Sequence, residues 1–288
     1  MVEFDQDLPD TPLSIRIKLA HAYFQRLADQ HGIDILHVKG YAFGSDTYDV
    51  HRNSTDVDLL VRPSQVQQFK QLLIASGWKV IAHFNSGSIF EHASTLYHPC
   101  WGLTDVHRFF PGLDDRSPQY AFDQLWEQRR YKSIANFECA VPSLDDSLLL
   151  VVVHGARSTA DTNPDIEHLK KVLSQDDWER LRTRAHQLRA EVAFDTALGR
   201  LEDHRGHPDY LIWKAVSQNV PIYTQWWARF RRARGPRAKL LLLWQIVTVN
   251  EDHLAMTLGH EPTHSEKRRV FFRRFEKLKA AQIFRRKI

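Results

Sequence analysis

Arg52-Asn53-Ser54-Thr55-Asp56-Val57-Asp58-Leu59-Leu60-Val61 reads as a polar approach that becomes a β-strand over residues 57–61. Alternate side chains of a strand share a face, so Asp56 and Asp58 project together while Val57 turns the other way. Two carboxylates held that close repel one another unless a cation lies between them. Mg2+, with Mn2+ as the other candidate, is the natural occupant, because a hard ion takes oxygen ligands and lets substrate phosphates complete its shell.

The apolar residues Leu59-Leu60-Val61 follow the aspartates instead of preceding them. That order is the reverse of the one in haloacid-dehalogenase-type phosphatases. Sugar-nucleotide glycosyltransferases also use an Asp-x-Asp pair, but they usually need more sheet before it than this chain supplies.

Outward from this strand, the first half alternates between helical and strand periods. Ile15, Leu19, Ala22, Phe24 and Leu27 have helical spacing, closed by Gly32 as a C-terminal cap. Residues 33–38 read as a strand and 41–48 as a short helix, and Ser64 is placed to cap a helix running to Ser76. Strands are expected over 78–84, 88–97 and 102–110, punctuated by Gly77, Gly87 and Pro99. From about Ser143 the strand signal stops and helical periodicity continues, with starts at Ser143, Asn163-Pro164, Asp176 and Pro221. The expected organisation is a mixed-sheet domain over 1–142 and a helical domain over 143–288.

The strand over 102–110 carries Asp105 within Leu103-Thr104-Asp105-Val106-His107-Arg108. If it neighbours the strand of Asp56 and Asp58, the three acids form a cluster for two metal ions, one on a triphosphate and one activating an attacking hydroxyl. Asp105 would hold the second ion and could take the hydroxyl proton, with His107 at the edge of the cluster. Upstream, His37-Val38-Lys39-Gly40 ends a strand where backbone N–H groups are free, Gly40 permits close approach and Lys39 adds charge, a turn suited to phosphate. Gly44-Ser45 competes for that role; Lys39-Gly40 is preferred because it lies at the strand end.

These residues resemble the DNA polymerase beta-type nucleotidyltransferase superfamily, and more narrowly its uncharacterised bacterial family. The pattern is carried by Lys39-Gly40, Tyr48, Arg52, Asp56-Val57-Asp58 and Asp105-Val106-His107, and continues through His154-Gly155-Ala156, Pro164-Asp165-Ile166 and Asp177-Trp178. Arg52, Ser54, Asp56 and Asp58 are also similar to the Arg-x-Ser-x-Asp-x-Asp form of toxin-type nucleotidyltransferases. Tyr41 and Phe43 depart from the family, which usually has small residues there. The resemblance implies an α+β fold, a minimal nucleotidyltransferase mixed sheet with flanking helices followed by an all-α domain. It implies Mg-dependent transfer of a nucleoside monophosphate from an NTP, with ATP the expected donor, to a hydroxyl of a tRNA, a protein or peptide, or a small molecule. Asp56, Asp58 and Asp105 are then the catalytic, metal-holding acids, and Lys39, Gly40, Arg52 and Ser54 the nucleotide-binding set. A non-catalytic nucleotide-sensing or RNA-binding regulatory module is the competing class.

Composition bounds both readings. With 288 residues, 43% hydrophobic and 26% charged, the chain is long and apolar enough for real cores, which excludes disorder as its main state. Cys100 and Cys139 form no Cys-x-x-Cys pair, so neither a disulfide scaffold nor a zinc ribbon is expected. Residues 1–12 are acidic and lack a basic-then-apolar leader, and the apolar runs at 148–153 and 240–244 are too short to span a bilayer. A cytoplasmic protein is expected. Residues 1–150 carry 13 Lys/Arg against 19 Asp/Glu, a net of −6, whereas residues 226–288 carry 16 against 5, a net of +11. The basic end, with Trp226-Trp227-Ala228-Arg229-Phe230-Arg231-Arg232, is open to three readings: a solvated helix face, an RNA, peptide or other polyanion site, or contact with an anionic membrane surface.

Overall fold

The computed structural model describes residues 11–44, 47–49, 54–84, 88–158, 163–218, 220–233, 235–247, 254, 258 and 262–272. Helix α1 (Leu13–Gln30) precedes β1 (Ile35–Val38), a single 3-10 turn (Gly40–Ala42) and β2 (Asp56–Val61). Then come α2 (Val66–Ala75), β3 (Lys79–Ala82), β4 (Ala93–His98), β5 (Gly102–His107) and α3 (Pro118–Glu127). A hairpin, β6 (Arg130–Ile134) and β7 (Phe137–Val141), leads into α4 (Leu144–Gly155), α5 (Pro164–Val172), α6 (Gln175–Gln187), α7 (Glu191–Ala197), α8 (Tyr210–Ser217), α9 (Ile222–Arg232) and α10 (Gly235–Val247). The fold is therefore α+β, a five-stranded mixed sheet with flanking helices followed by a helical region.

The sheet order is β1-β2-β5-β4-β3, and the one parallel pair, β2 with β5, lies at its centre. Strand alternation divides the core. Val57, Leu59 and Val61 of β2, with Val106 and Leu96, pack on Ile17, Phe24 and Ala28 of α1 and on Phe69 and Leu73 of α2. Leu36, Val38 and Leu60 face the other way, into a cluster with Phe122 of α3, Leu149 and Val153 of α4, and Phe194 of α7. The carboxylates of β2 share this second face and stand beyond its apolar part, where the helices do not cover them completely.

Several expectations change. Helix α1 forms and ends at Gln30 with His31 as its C-terminal cap, and Gly32 just beyond it has a φ of +61° that suits a residue without a side chain. Its buried face, however, is Ile17, Ala20, His21, Phe24, Gln25 and Ala28, leaving Ile15 and Leu19 exposed. The polar members of that face have partners: His21 bonds to His37, and the Gln25 side-chain oxygen accepts from the Ala140 N–H. The helix expected over 41–48 is only the turn at Gly40–Ala42, because Phe43 and Tyr48 go into the core and stack on each other at 5.9 Å. Ser64 caps nothing; it lies in a one-turn lead-in, Pro63–Gln65, before α2. Downstream, Ser143 caps α4 through the Asp146 N–H and Asn163 caps α5 through Asp165 and Ile166, while Ser174, in a capping box with Asp177, starts α6.

Helix α4 is buried almost all round and carries a buried charge pair: Asp146 is fully buried, and Arg184 of α6 bonds it at 2.6 and 3.2 Å while also reaching the Gln124 carbonyl. Removing one partner leaves the other buried and uncompensated, so Asp146→Ala should lower unfolding free energy by about 3 kcal/mol in a urea titration. A loss below about 0.5 kcal/mol would mean that the pair is solvated in solution. In the basic region, Arg229 pairs with Glu91 and Arg232 with Asp115 and Asp209, so these two guanidiniums tie α9 to the rest of the protein. Among the described residues no helix is long and apolar enough to cross a membrane.

Candidate active site

Register assembles the site. Val38, Asp58, Asp105 and Thr95 lie in one row across β1, β2, β5 and β4, so Asp58 stands directly beside Asp105 on the parallel neighbour. Asp56 lies two residues earlier on the Asp58 face, opposite Leu103. The sheet thus brings together the three carboxylates that the sequence separates by 49 positions.

Each acid is anchored differently. The buried Asp58 Oδ1 receives the Lys39 ammonium at 2.5 Å and His107 Nε2 at 2.8 Å. Thr95 Oγ1 donates to Asp105 Oδ1 at 2.6 Å, which fixes that carboxylate from the next strand. Burial acts to raise the Asp58 carboxyl, but the Lys39 charge and the His107 hydrogen bond outweigh it and hold the group well below the usual carboxylate range. Asp56 goes the other way, to about 6, pushed up by burial and by the charges of Asp58 and Asp105 against the opposing Lys39 and His107. One face therefore holds an ionised acid with its own cation and a second acid that has none among the described residues.

The turn before the site is tight. Lys39 has φ +62°, a region that favours glycine, and Gly40 follows with φ +49°. A methyl group on Gly40 would sit 2.5 Å from Ser54 Oγ and 3.0 Å from its Cβ, so the Lys39-Gly40 turn and the approach to β2 are in contact. Ser54 Oγ meanwhile donates to the Asp56 carbonyl at 2.8 Å. Lys39, Gly40 and Ser54 are therefore adjacent to the carboxylates; Arg52 and Ser45 lie outside the described residues.

Two participants had no motif to announce them. Lys132 of β6 donates to the carbonyls of Tyr41 and Ala42 at 3.1 and 3.2 Å, closing the 3-10 turn from below. His92 packs its ring 5.1 Å from that of His107, and burial, with help from the His107, Arg157 and Lys39 charges, keeps it neutral. The alternation of Arg130-Tyr131-Lys132-Ser133-Ile134 could have flagged Lys132 as a strand residue; His92 had no comparable signal.

The donor set suits a divalent cation. Asp58, Asp105 and His107 offer ligand atoms within 4.8 Å of one another, and Asp56 adds a carboxylate that burial and like charge leave in need of a counter-ion. The Lys39 ammonium already occupies a cation position against Asp58.

A family model described as Uncharacterised nucleotidyltransferase matches residues 20–204. Among solved structures, the chain is similar to the lincosamide antibiotic adenylyltransferase LnuA bound to lincomycin, with 17% identity, 60% of this chain and 96% of that one covered, and a TM-score of 0.34. An antigenic nucleotidyltransferase-like protein from Paracoccidioides brasiliensis matches at 16% identity, covering 72% and 95%, with a TM-score of 0.38. The antibiotic-resistance factor ANT(2'')-Ia matches at 14% identity, covering 67% and 97%, with a TM-score of 0.35. No curated protein matches.

Proposed function

Since the chain belongs to this uncharacterised nucleotidyltransferase family, we propose that it transfers a nucleoside monophosphate from an NTP, ATP in the first instance, to an acceptor hydroxyl. The observation that carries the reading is the pairing of Asp58 with Asp105 across parallel strands, with Asp56 on the same face. Asp58 and Asp105, whose ligand atoms lie close together, and Asp56 on the same face would hold Mg2+ or Mn2+. Bound there, the cation supplies charge neutralisation at phosphate oxygens and a lowered pKa for the attacking hydroxyl.

The chain's own groups account for the rest. Lys39, paired with Asp58 and standing at the start of the Gly40–Ala42 turn, carries the positive charge that would serve the phosphates. Asp105, held at one oxygen by Thr95, accepts the acceptor hydroxyl's proton as the hydroxyl oxygen attacks the α-phosphorus and the bond to the bridging oxygen of the β-phosphate breaks, releasing pyrophosphate. His107 keeps Asp58 oriented and ionised.

Incubation of the full chain with α-labelled NTP and Mg2+, with whole-cell RNA, the protein itself and small hydroxyl compounds offered in turn, tests the reading. Pyrophosphate release with label on one acceptor is the expected result. Saturable binding without turnover would instead establish the nucleotide-sensing module, and the acceptor that takes label identifies the substrate class.

A further inference from the structure

Several arginines in this fold that lose water find carboxylates. Arg184 has Asp146, Arg62 has Asp34 and Asp123, Arg229 has Glu91, and Arg232 has Asp115 and Asp209. Arg157 does not. It lies two residues beyond the end of α4, and among the described residues no carboxylate comes within ion-pair distance of its guanidinium. Its polar side-chain contact is a long one, Nη1 to His92 Nε2 at 3.4 Å, and the ring of Phe90 lies 6.0 Å from its guanidinium carbon. His92 in turn packs against His107, which bonds Asp58, so a short relay of rings connects this guanidinium to the carboxylate face.

A mostly buried cation without an anion costs stability unless something arrives to match it. Burial pulls the Arg157 guanidinium below its ordinary range, and the acids that act against this are Asp58 and Asp105, the acids of the site. The planar fork suits a phosphate, which it can grip through two parallel N–H bonds.

We propose that Arg157 receives the β- and γ-phosphates of the bound nucleotide and stabilises the pyrophosphate as it leaves, a role that rests on the nucleotidyl-transfer reading of Asp56, Asp58 and Asp105. As the bond between the α-phosphorus and its bridging oxygen breaks, the electron pair stays on that oxygen, and the guanidinium neutralises the charge that builds on the departing pyrophosphate. Lys39 and Arg157 then approach the phosphates from separate elements, the turn after β1 and the end of α4.

The test compares α,β-methylene-ATP with AMP by titration calorimetry on the full chain, with Mg2+, for wild type, Arg157→Gln and Arg157→Lys. Arg157→Gln should weaken the triphosphate analogue by about tenfold to hundredfold and leave AMP unchanged, with Arg157→Lys between. The melting temperature of ligand-free Arg157→Gln should hold or rise, because a mostly buried charge with no carboxylate partner among the described residues has gone. Equal affinity of wild type and Arg157→Gln for the analogue overturns the proposal, as does a parallel loss of AMP and analogue with a lower melting temperature, which is the behaviour of a structural residue. A wild type that binds and transfers while Arg157→Gln binds equally well removes Arg157 alone. A wild type that binds no nucleotide removes the reading of the site and this role with it.

Discussion

Asp105→Asn is expected to cut nucleotidyl transfer by about a thousandfold or more, since both cation holding and proton acceptance need the carboxylate's charge. The substitution keeps the shape and keeps an oxygen to accept the Thr95 hydroxyl, so the strand row from β4 to β2 should remain intact. Binding of the Mg–NTP complex should be largely retained, because Asp56, Asp58 and the Lys39-Gly40 turn lie on other elements. Initial rates of pyrophosphate release, set beside calorimetric NTP affinity, separate these effects. Transfer within a few-fold of wild type would refute the role. Asp58 is a poorer target for this question: its replacement leaves the Lys39 ammonium and His107 without the acceptor they share, so loss of activity would be confounded with loss of stability.

How far the sequence could be read depended on whether each signal was local. Asp56-Val57-Asp58-Leu59-Leu60-Val61 carries its own alternation and its own apolar run, and β2 starts at Asp56. The row of Val38, Asp58, Asp105 and Thr95 needed the strand order, which local pattern does not contain. The hairpin β6–β7 escaped notice because its turn is Ala135-Asn136, both at positive φ, where Asn-Gly would have announced the same geometry. In α1 a hydrophobic count was right for Phe24 but put Ile15 and Leu19 on the buried face in place of His21 and Gln25, whose partners come from β1 and β7. The pairing of Lys39 with Asp58, and the approach of His92, Lys132 and Arg157, are products of tertiary placement: residues 39, 92, 132 and 157 share no spacing that a motif could record.

Acid should weaken the protein steeply, because of the His21–His37 pair. Both rings are buried between α1 and β1, their Nδ1 atoms 2.8 Å apart, and each Nε2 is buried without a partner among the described residues. One Nδ1 must donate and the other accept, so a proton added to the accepting nitrogen turns the bond into two donors facing each other. Burial lowers His21 from 6.5 to about 3, with lesser and opposing influences from Asp58 and Lys132, and burial together with His21 puts His37 well below its ordinary value too. The unfolded chain takes up these protons below about pH 6.5 and the folded chain does not, so unfolding free energy falls as pH drops through that window. By pH 4 the loss from His21 alone is about 3 kcal/mol, and His37 adds to it with the same sign. Urea midpoints measured from pH 7 to pH 4 would show it. Replacing both rings at once, His21→Leu with His37→Leu, removes the buried polar pair without orphaning either partner, so neutral-pH stability should change by less than about 1 kcal/mol. The acid loss should become shallower in that double variant. A double variant whose stability falls with pH as steeply as the wild type's would assign the acid sensitivity to other groups, with the buried His92 the first to replace.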